Sequence, residues 1–257
     1  MNGAFDEAEE LELARLLVGF RLPTASQEMA RRLREAGHEG ALGAVLEVLR
    51  AEADGRNGRR VERLQKASKL PMGKTLGTLD TTRFPPELQR KLRELISGRF
   101  LENTFNVLAF GLPGTGKSHA CCAVGHAMIE AGHAVLFTPA YKLVQELLVA
   151  KRDLALPRAL RKLDAYELII LDDIGYIKQR PDEVEVLFTL MAERYERRSL
   201  MITSNLVFSE WDQIFQNPMT TAAAIDRLVH HSVILEFDVP SFRTADKISA
   251  ATAEASP

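Results

Sequence analysis

Apolar positions recur at helical spacing through the first third of the chain, then change to short unbroken runs. ELARLLVGFRL (12–22), TASQEMARRLREA (24–36) and EGALGAVLEVLRAEA (39–53) each place apolar residues three and four apart. Pro23 interrupts the first, Thr24 reads as the cap of the second, which stops at Gly37, and the third ends near Gly55. A basic helix, GRRVERLQKASKL (58–70), leads to Pro71. The following PMGKTLGTLDTTRFPP (71–86) is dense in Gly, Pro and Thr and marks a boundary. Beyond it, strand-like runs fall at 106–110, 134–138, 167–171, 200–204 and 233–237. Helical segments lie between them at 117–131, 139–162 with a break at Pro157, 181–198, and 209–229 in pieces. Short apolar strands separated by helices predict a parallel sheet covered on both faces. The expected fold is therefore α/β, with a five-stranded parallel sheet behind a small all-helical N-terminal domain. The expected division is residues 1–68 for that domain (partner or DNA contact), 69–86 for a linker, 87–247 for the sheet domain and 248–257 for a disordered tail.

With 257 residues, 46% of them hydrophobic, the chain has ample material for a core. A net charge of −2 gives it no bulk attraction for nucleic acid, so such contact must come from local patches. Charge is uneven: residues 1–13 hold five acids and no base, while 50–74 hold eight bases against three acids. No apolar run approaches the roughly 18–20 residues of a membrane span, and the acidic start is unlike a signal peptide. Cys121 and Cys122 are neighbours, a pair that rarely bridges, which fits a reducing cytoplasm. A cytoplasmic location is expected.

The strand NVLAF runs into GLPGTGKS, residues 111–118, which fits G-x-x-x-x-G-K-[ST] and is followed by a helix. In such a loop Gly111, Gly114 and Gly116 let backbone N–H groups turn onto phosphates at the positive end of the helix. Lys117 would reach the β- and γ-phosphates, and the Ser118 hydroxyl would join a Mg²⁺ shell. Pro113, Thr115 and His119 complete the expected cofactor-binding stretch. YELIILDD is a buried strand ending in two carboxylates. Asp172 is assigned to the metal, through water, and Asp173 to positioning the attacking water. Asn205, at the tip of the next strand, could hydrogen-bond that water or the γ-phosphate, though the same residue suits a turn. Arg227 in TAAAIDRLVHHS could stabilise γ-phosphate charge on an adjacent subunit, or pair with Asp226. His119 and His126 lie about 10.5 Å apart along one helix, too far to share an ion. His230 and His231 are expected to point to different faces, so no metal besides Mg²⁺ is expected, and both cysteines are expected to be packing residues.

Together these residues resemble the AAA+ ATPases, within them the clade of the DnaA initiator, the DnaC helicase loader and, above all, the IstB-type transposition helpers. The resemblance extends over nearly the whole chain, from the basic run into KASKLPMGKTLGTLD through LDAYELIILDDIGYI and ITSNLVFSEW to AAAIDRLVHHSVILEF and SFR. It implies a P-loop AAA+ ATPase core with Gly111 to Ser118 as Walker A, Asp172 and Asp173 as Walker B, Asn205 as sensor 1 and Arg227 as a trans-acting arginine finger. Arg243 resembles the family's terminal arginine, where other AAA+ proteins carry sensor 2. Many of those proteins have Asp-Glu at Walker B. The shorter Asp173 predicts slow ATP turnover, suited to a timer, and a faster Asp173→Glu variant.

After its second strand this clade inserts a helical element that lines DNA. Here YKLVQELLVAKRDLALPRALRKL carries Lys142, Lys151, Arg152, Arg158, Arg161 and Lys162 against Glu146 and Asp153. Unaided, such a run is more often a solvated helix face; the resemblance favours non-specific phosphate contacts, which weaken with salt. Residues 56–74 are a second candidate for DNA or partner contact, and the acidic N-terminus suits either docking or solubility. The implied function is an ATP- and Mg²⁺-dependent homo-oligomer on duplex DNA that helps a transposase engage its target. A helicase loader and a small-molecule P-loop kinase are the alternatives.

Overall fold

In a computed structural model, residues 7–175, 180–215 and 218–242 are described. The chain divides into two compact units, Met1–Glu62 and Arg63–Pro257. The first contains α1 (Glu7–Gly19), α2 (Pro23–Glu35) and most of α3 (Leu42–Ser68). Leu13 and Leu17 of α1 and Leu42 and Leu46 of α3 make its small core, with Met29 and Leu33 of α2 against them. Of the acids at the start of the chain, Glu12 is held by Arg50 at 2.6 and 2.7 Å, and Glu10 by Arg34.

Two expectations fail here for local reasons. Pro23 occupies the first helical position of α2 with Leu22 as N-cap, so Thr24 lies inside the helix. Proline's fixed φ and missing N–H suit that first turn. The break near Gly55 is also absent: α3 continues through Gly55 and Gly58. Each helical glycine costs about 1 kcal/mol, partly offset where Glu52 holds Arg56 at 2.6 Å and Arg59 at 3.5 Å.

The second unit has α4 (Pro86–Ile96), α5 (Arg99–Glu102), β1 (Asn106–Gly111), α6 (Lys117–Glu130), β2 (Val135–Pro139), α7 (Ala140–Arg152) and α8 (Leu156–Leu163). It continues with β3 (Leu168–Asp172), α9 (Pro181–Arg194), β4 (Ser199–Ser204), α10 (Asp212–Phe215), α11 (Pro218–Val229) and β5 (Ser232–Phe237). The five strands form one parallel sheet in the order β2-β3-β4-β1-β5, the α/β architecture expected. Helix α4 escaped the sequence reading: Leu88, Leu92 and Leu95 carry its buried stripe, but charged residues surround them. No helix among the described residues is long and apolar enough to cross a membrane.

The segment 69–86, expected as a linker, is folded into this unit. Leu70 and Phe84 are buried, and the Thr78 hydroxyl lies 3.0 Å from His119 Nε2 of α6. The Thr78 hydroxyl closes the local turn by donating to Gly73 O at 2.8 Å, while Leu70 and Phe84 enter the core and Met72 and Leu76 stay exposed. The α7–α8 break falls at 153–155, ahead of Pro157, which sits in the first turn of α8.

The register places the chemistry. Phe110 pairs with Ser204, and Leu171 with Ile202. The carboxyl ends of β1, β3 and β4 therefore finish at one edge, with Asp172 and Asp173 beside Thr203.

Candidate nucleotide site

Strand β1 delivers the chain to Gly111, and α6 begins six residues later with Gly116 as a left-handed N-cap at φ 97°. At Gly111 a Cβ would lie 2.7 Å from Phe237 O, so only glycine permits the approach of β5 behind the loop. Thr115 is buried and its hydroxyl donates to Leu112 O at 2.9 Å, which turns its side chain inward. Lys117 Nζ donates to Gly111 O at 2.7 Å and Leu112 O at 2.9 Å, keeping the ammonium on the loop at the positive end of α6. The first N–H groups of α6 and the glycine turns leave a concave, cationic surface of the kind phosphates occupy.

A cleft of 350 Å³ opens beside this loop, lined by Gly114, Gly116, Lys117, Ser118 and His119 on one side. Lys74, Thr78, Leu79 and Asp80 line it from the connector, and Phe242 from the far end of the chain. The connector residues were not legible as site residues, because nothing in their composition distinguishes a wall of the cleft from a turn. Burial pushes the His119 imidazole down, favouring its neutral form, which lies 3.0 Å from the Thr78 hydroxyl. Phe242 donates its N–H to Gly114 O at 2.9 Å. Arg243, the next residue, lies outside the described residues.

Asp172 and Asp173 are joined through a residue the sequence reading passed over. The buried Thr203 hydroxyl donates to Asp172 Oδ1 at 2.8 Å and accepts the Asp173 N–H at 2.8 Å. Asp173 itself has φ 61°, a left-handed conformation that aspartate tolerates better than most residues. Burial and then the neighbouring Asp172 push its carboxyl above the usual range, while Lys117 pulls it down. Lys117 is thus within electrostatic reach of the pair. The Asn205 Oδ1 is buried without a hydrogen-bond partner among the described residues. It presses on Gly175, where a Cβ would meet it at 2.6 Å. A buried acceptor left open in this way is set to receive a donor.

The other predicted residues lie elsewhere. Arg227, on α11, has its guanidinium carbon 4.5 Å over the Phe188 ring of α9, with Nη1 buried and without a hydrogen-bond partner among the described residues. Lys142, Lys151 and Arg152 are on α7, and Arg158, Arg161 and Lys162 on α8. All are exposed except Lys151, half-buried and paired with Glu185 at 2.6 Å. Cys121 and Cys122 are free and buried, and burial pushes the Cys122 thiol up to about 12, far from a reactive thiolate.

Residues 7–250 match the family model of the IstB-like ATP binding proteins. A protein of Sinorhizobium fredii described as an insertion sequence ATP-binding protein is 41% identical, over 97% of this chain and 85% of its own length. The ATP-binding protein of insertion sequence IS21 from Pseudomonas aeruginosa is 39% identical over 79% of this chain and 77% of its own. Among solved structures, the DnaC helicase loader superimposes with a TM-score of 0.56 at 14% identity, covering 64% of this chain and 97% of that one, a likeness of fold.

Proposed function

Because this chain belongs to the family of IstB-like ATP-binding proteins, an AAA+ ATPase by class, we propose that it hydrolyses ATP slowly as the switch of a DNA-bound assembly serving a transposase. The observation that carries the catalytic part is the Thr203 bridge, which ties the Asp172 carboxylate to the Asp173 backbone, with Lys117 in electrostatic reach of the Asp173 carboxyl. In this reading the loop amides and Lys117 hold the phosphates, and Asp173 takes a proton from the attacking water. Asn205 Oδ1 accepts a hydrogen bond from the water's other O–H, whose proton stays on the oxygen, and this gives its open acceptor a partner.

Ser118 and Asp172 supply oxygen donors only, the set a magnesium ion prefers. Bound there, Mg²⁺ would neutralise charge on the β- and γ-phosphates. What this chain does for it is orient one Asp172 oxygen through Thr203. Thr203→Val removes that orientation in an isosteric way. It is expected to slow hydrolysis about tenfold, roughly 1.4 kcal/mol of barrier, with ATP affinity nearly unchanged, as steady-state phosphate release and nucleotide titration would show.

The assembly part rests on charge and placement. Among the described residues Lys142, Arg152, Arg158, Arg161 and Lys162 are exposed on two successive helices and make no ion pair, which suits phosphate contact rather than base reading. Arg227 carries a buried guanidinium nitrogen with no hydrogen-bond partner among the described residues, a cation available to a neighbouring subunit's nucleotide after a rotamer change off Phe188. The test is ATP-dependent assembly on duplex DNA, followed by sizing and electron microscopy. ATP is expected to drive multi-subunit complexes on duplex. The triple variant Arg158→Ala, Arg161→Ala, Lys162→Ala should lose affinity and flatten the slope of log K against log salt by roughly 0.9 per lost phosphate contact. Arg227→Ala should assemble poorly and hydrolyse slowly. Assembly that ignores ATP, or a preference for single strands and a ring helicase, would overturn the transposition reading.

A further inference from the structure

We propose that Glu196, His230 and His231 form a surface site for one divalent transition-metal ion of the zinc class. Each residue offers a ligand atom, and the three atoms lie within 4.8 Å of one another. His231 Nε2 is 3.9 Å from Glu196 Oε1, and the two imidazole rings are 4.2 Å apart. The expectation that adjacent histidines face apart fails because they lie in the turn between α11 and β5. Neither the helical nor the strand period applies there.

The surroundings resemble the support a metal ligand receives. Phe105 stacks on His231 at 5.5 Å and 9°, restricting that ring. The Tyr195 hydroxyl lies 3.3 Å from His230 Nδ1, which leaves Nε2 as the free nitrogen of that ring. Glu196 sits just past α9 in a left-handed conformation at φ 56°.

Two imidazoles and one carboxylate suit Zn²⁺, Ni²⁺ or Cu²⁺, whereas Mg²⁺ and Ca²⁺ take oxygen donors. Bringing the ligand atoms to the roughly 3.3 Å separations of a tetrahedral ion asks only for rotamer changes of the exposed Glu196 and His230 around the held His231 ring. Three protein ligands at an accessible position leave the fourth to water. An ion there would tie the end of α9 to the turn after α11, the helix that carries Arg227, and so brace the Arg227–Phe188 contact. The site is independent of nucleotide, DNA and transposase.

The experiment titrates ZnCl₂ into the full-length, EDTA-stripped and desalted protein by calorimetry, with excess MgCl₂ present to occupy oxygen sites. One equivalent is expected to bind. Glu196→Gln and His230→Ala should each weaken it at least about tenfold, and Tyr195→Phe by about tenfold through the loss of ring orientation. Zn²⁺ should raise the melting temperature of the unaltered protein but not of His230→Ala, while all variants melt alike in EDTA. Co²⁺ in place of Zn²⁺ should give visible absorption bands that vanish in Glu196→Gln. No stoichiometric binding, or equal binding by unaltered protein and variants, overturns the site.

Discussion

Asp173→Asn is expected to lower ATP hydrolysis by about 10²–10⁴-fold while leaving ATP affinity within a few-fold. Asparagine keeps the shape of the side chain and, like aspartate, tolerates the left-handed backbone at φ 61°, so the Thr203 bond to its N–H should persist. What disappears is the proton acceptor. Burial and the adjacent Asp172 already push the Asp173 carboxyl up, making it a better base than a solvated aspartate. Phosphate release under saturating ATP, with nucleotide binding measured separately, separates the two effects. A variant that hydrolyses normally would remove Asp173 from the mechanism. Asp173→Glu is expected to hydrolyse faster by reaching further toward the water, at a stability cost of about 1 kcal/mol, because glutamate suits a left-handed backbone less well.

Arg194→Ala is expected to lower the unfolding free energy by about 3–5 kcal/mol, with the melting temperature falling roughly 10 °C. This arginine is 1% exposed. Its Nη1 donates to Leu163 O at 3.1 Å, and Nη2 to Tyr166 O at 2.9 Å, Glu167 O at 3.3 Å and Ser199 O at 3.1 Å. One guanidinium thus satisfies the end of α8 and the entries to β3 and β4. Burial brings its pKa down to about 10, so it is still charged at neutral pH. Alanine takes this donor from Tyr166 O and Ser199 O, while Leu163 O and Glu167 O keep the N–H groups of Tyr166 and Ser199. Each carbonyl left open is worth about 1–3 kcal/mol, and the loss of the buried side chain's packing adds to it. Arg194→Lys keeps the charge but not the fork of donors, and should fall between. Thermal and urea unfolding measure all three proteins. An unchanged midpoint would mean that the carbonyls are satisfied without the arginine.

The loss should also reach function. Leu163 ends the helix that bears Arg158, Arg161 and Lys162, so loosening it disorders the cations proposed to meet DNA. Nothing in MAERYERRS distinguishes Arg194 from its neighbours Arg197, which is exposed and pairs with Asp164 and Glu193, and Arg198, which lies at the surface.

Much of the sheet unit was legible in its primary structure because the determinants are local. Short apolar runs rich in β-branched and aromatic residues, bounded by polar or turn residues, favour buried strands, and β1 to β5 begin and end within one residue of the expected runs. The P-loop is likewise a property of eight consecutive residues, since its glycines and lysine act through backbone geometry and reach within one turn. Local balance also explains the misses at Thr24 and Gly55. There, proline's fit to a helix start and ion pairs across α3 outweighed the expected cap and break.

Local patterns along the chain carry the set of strands, the phosphate loop and the identity of the two carboxylates. The strand order, which sets β1 between β4 and β5, and with it every contact that crosses elements, arises only when the whole sheet packs. Thr203 stands thirty-one residues from the Asp172 carboxylate it bonds, Thr78 forty-one from His119, and Glu196 thirty-four from His230. A hydroxyl or imidazole carries no periodic signal of its own, and its partner is chosen by the register and crossover that bring distant segments together. That choice is made by the packing of the whole sheet, and no window of the chain short enough to show a pattern contains it.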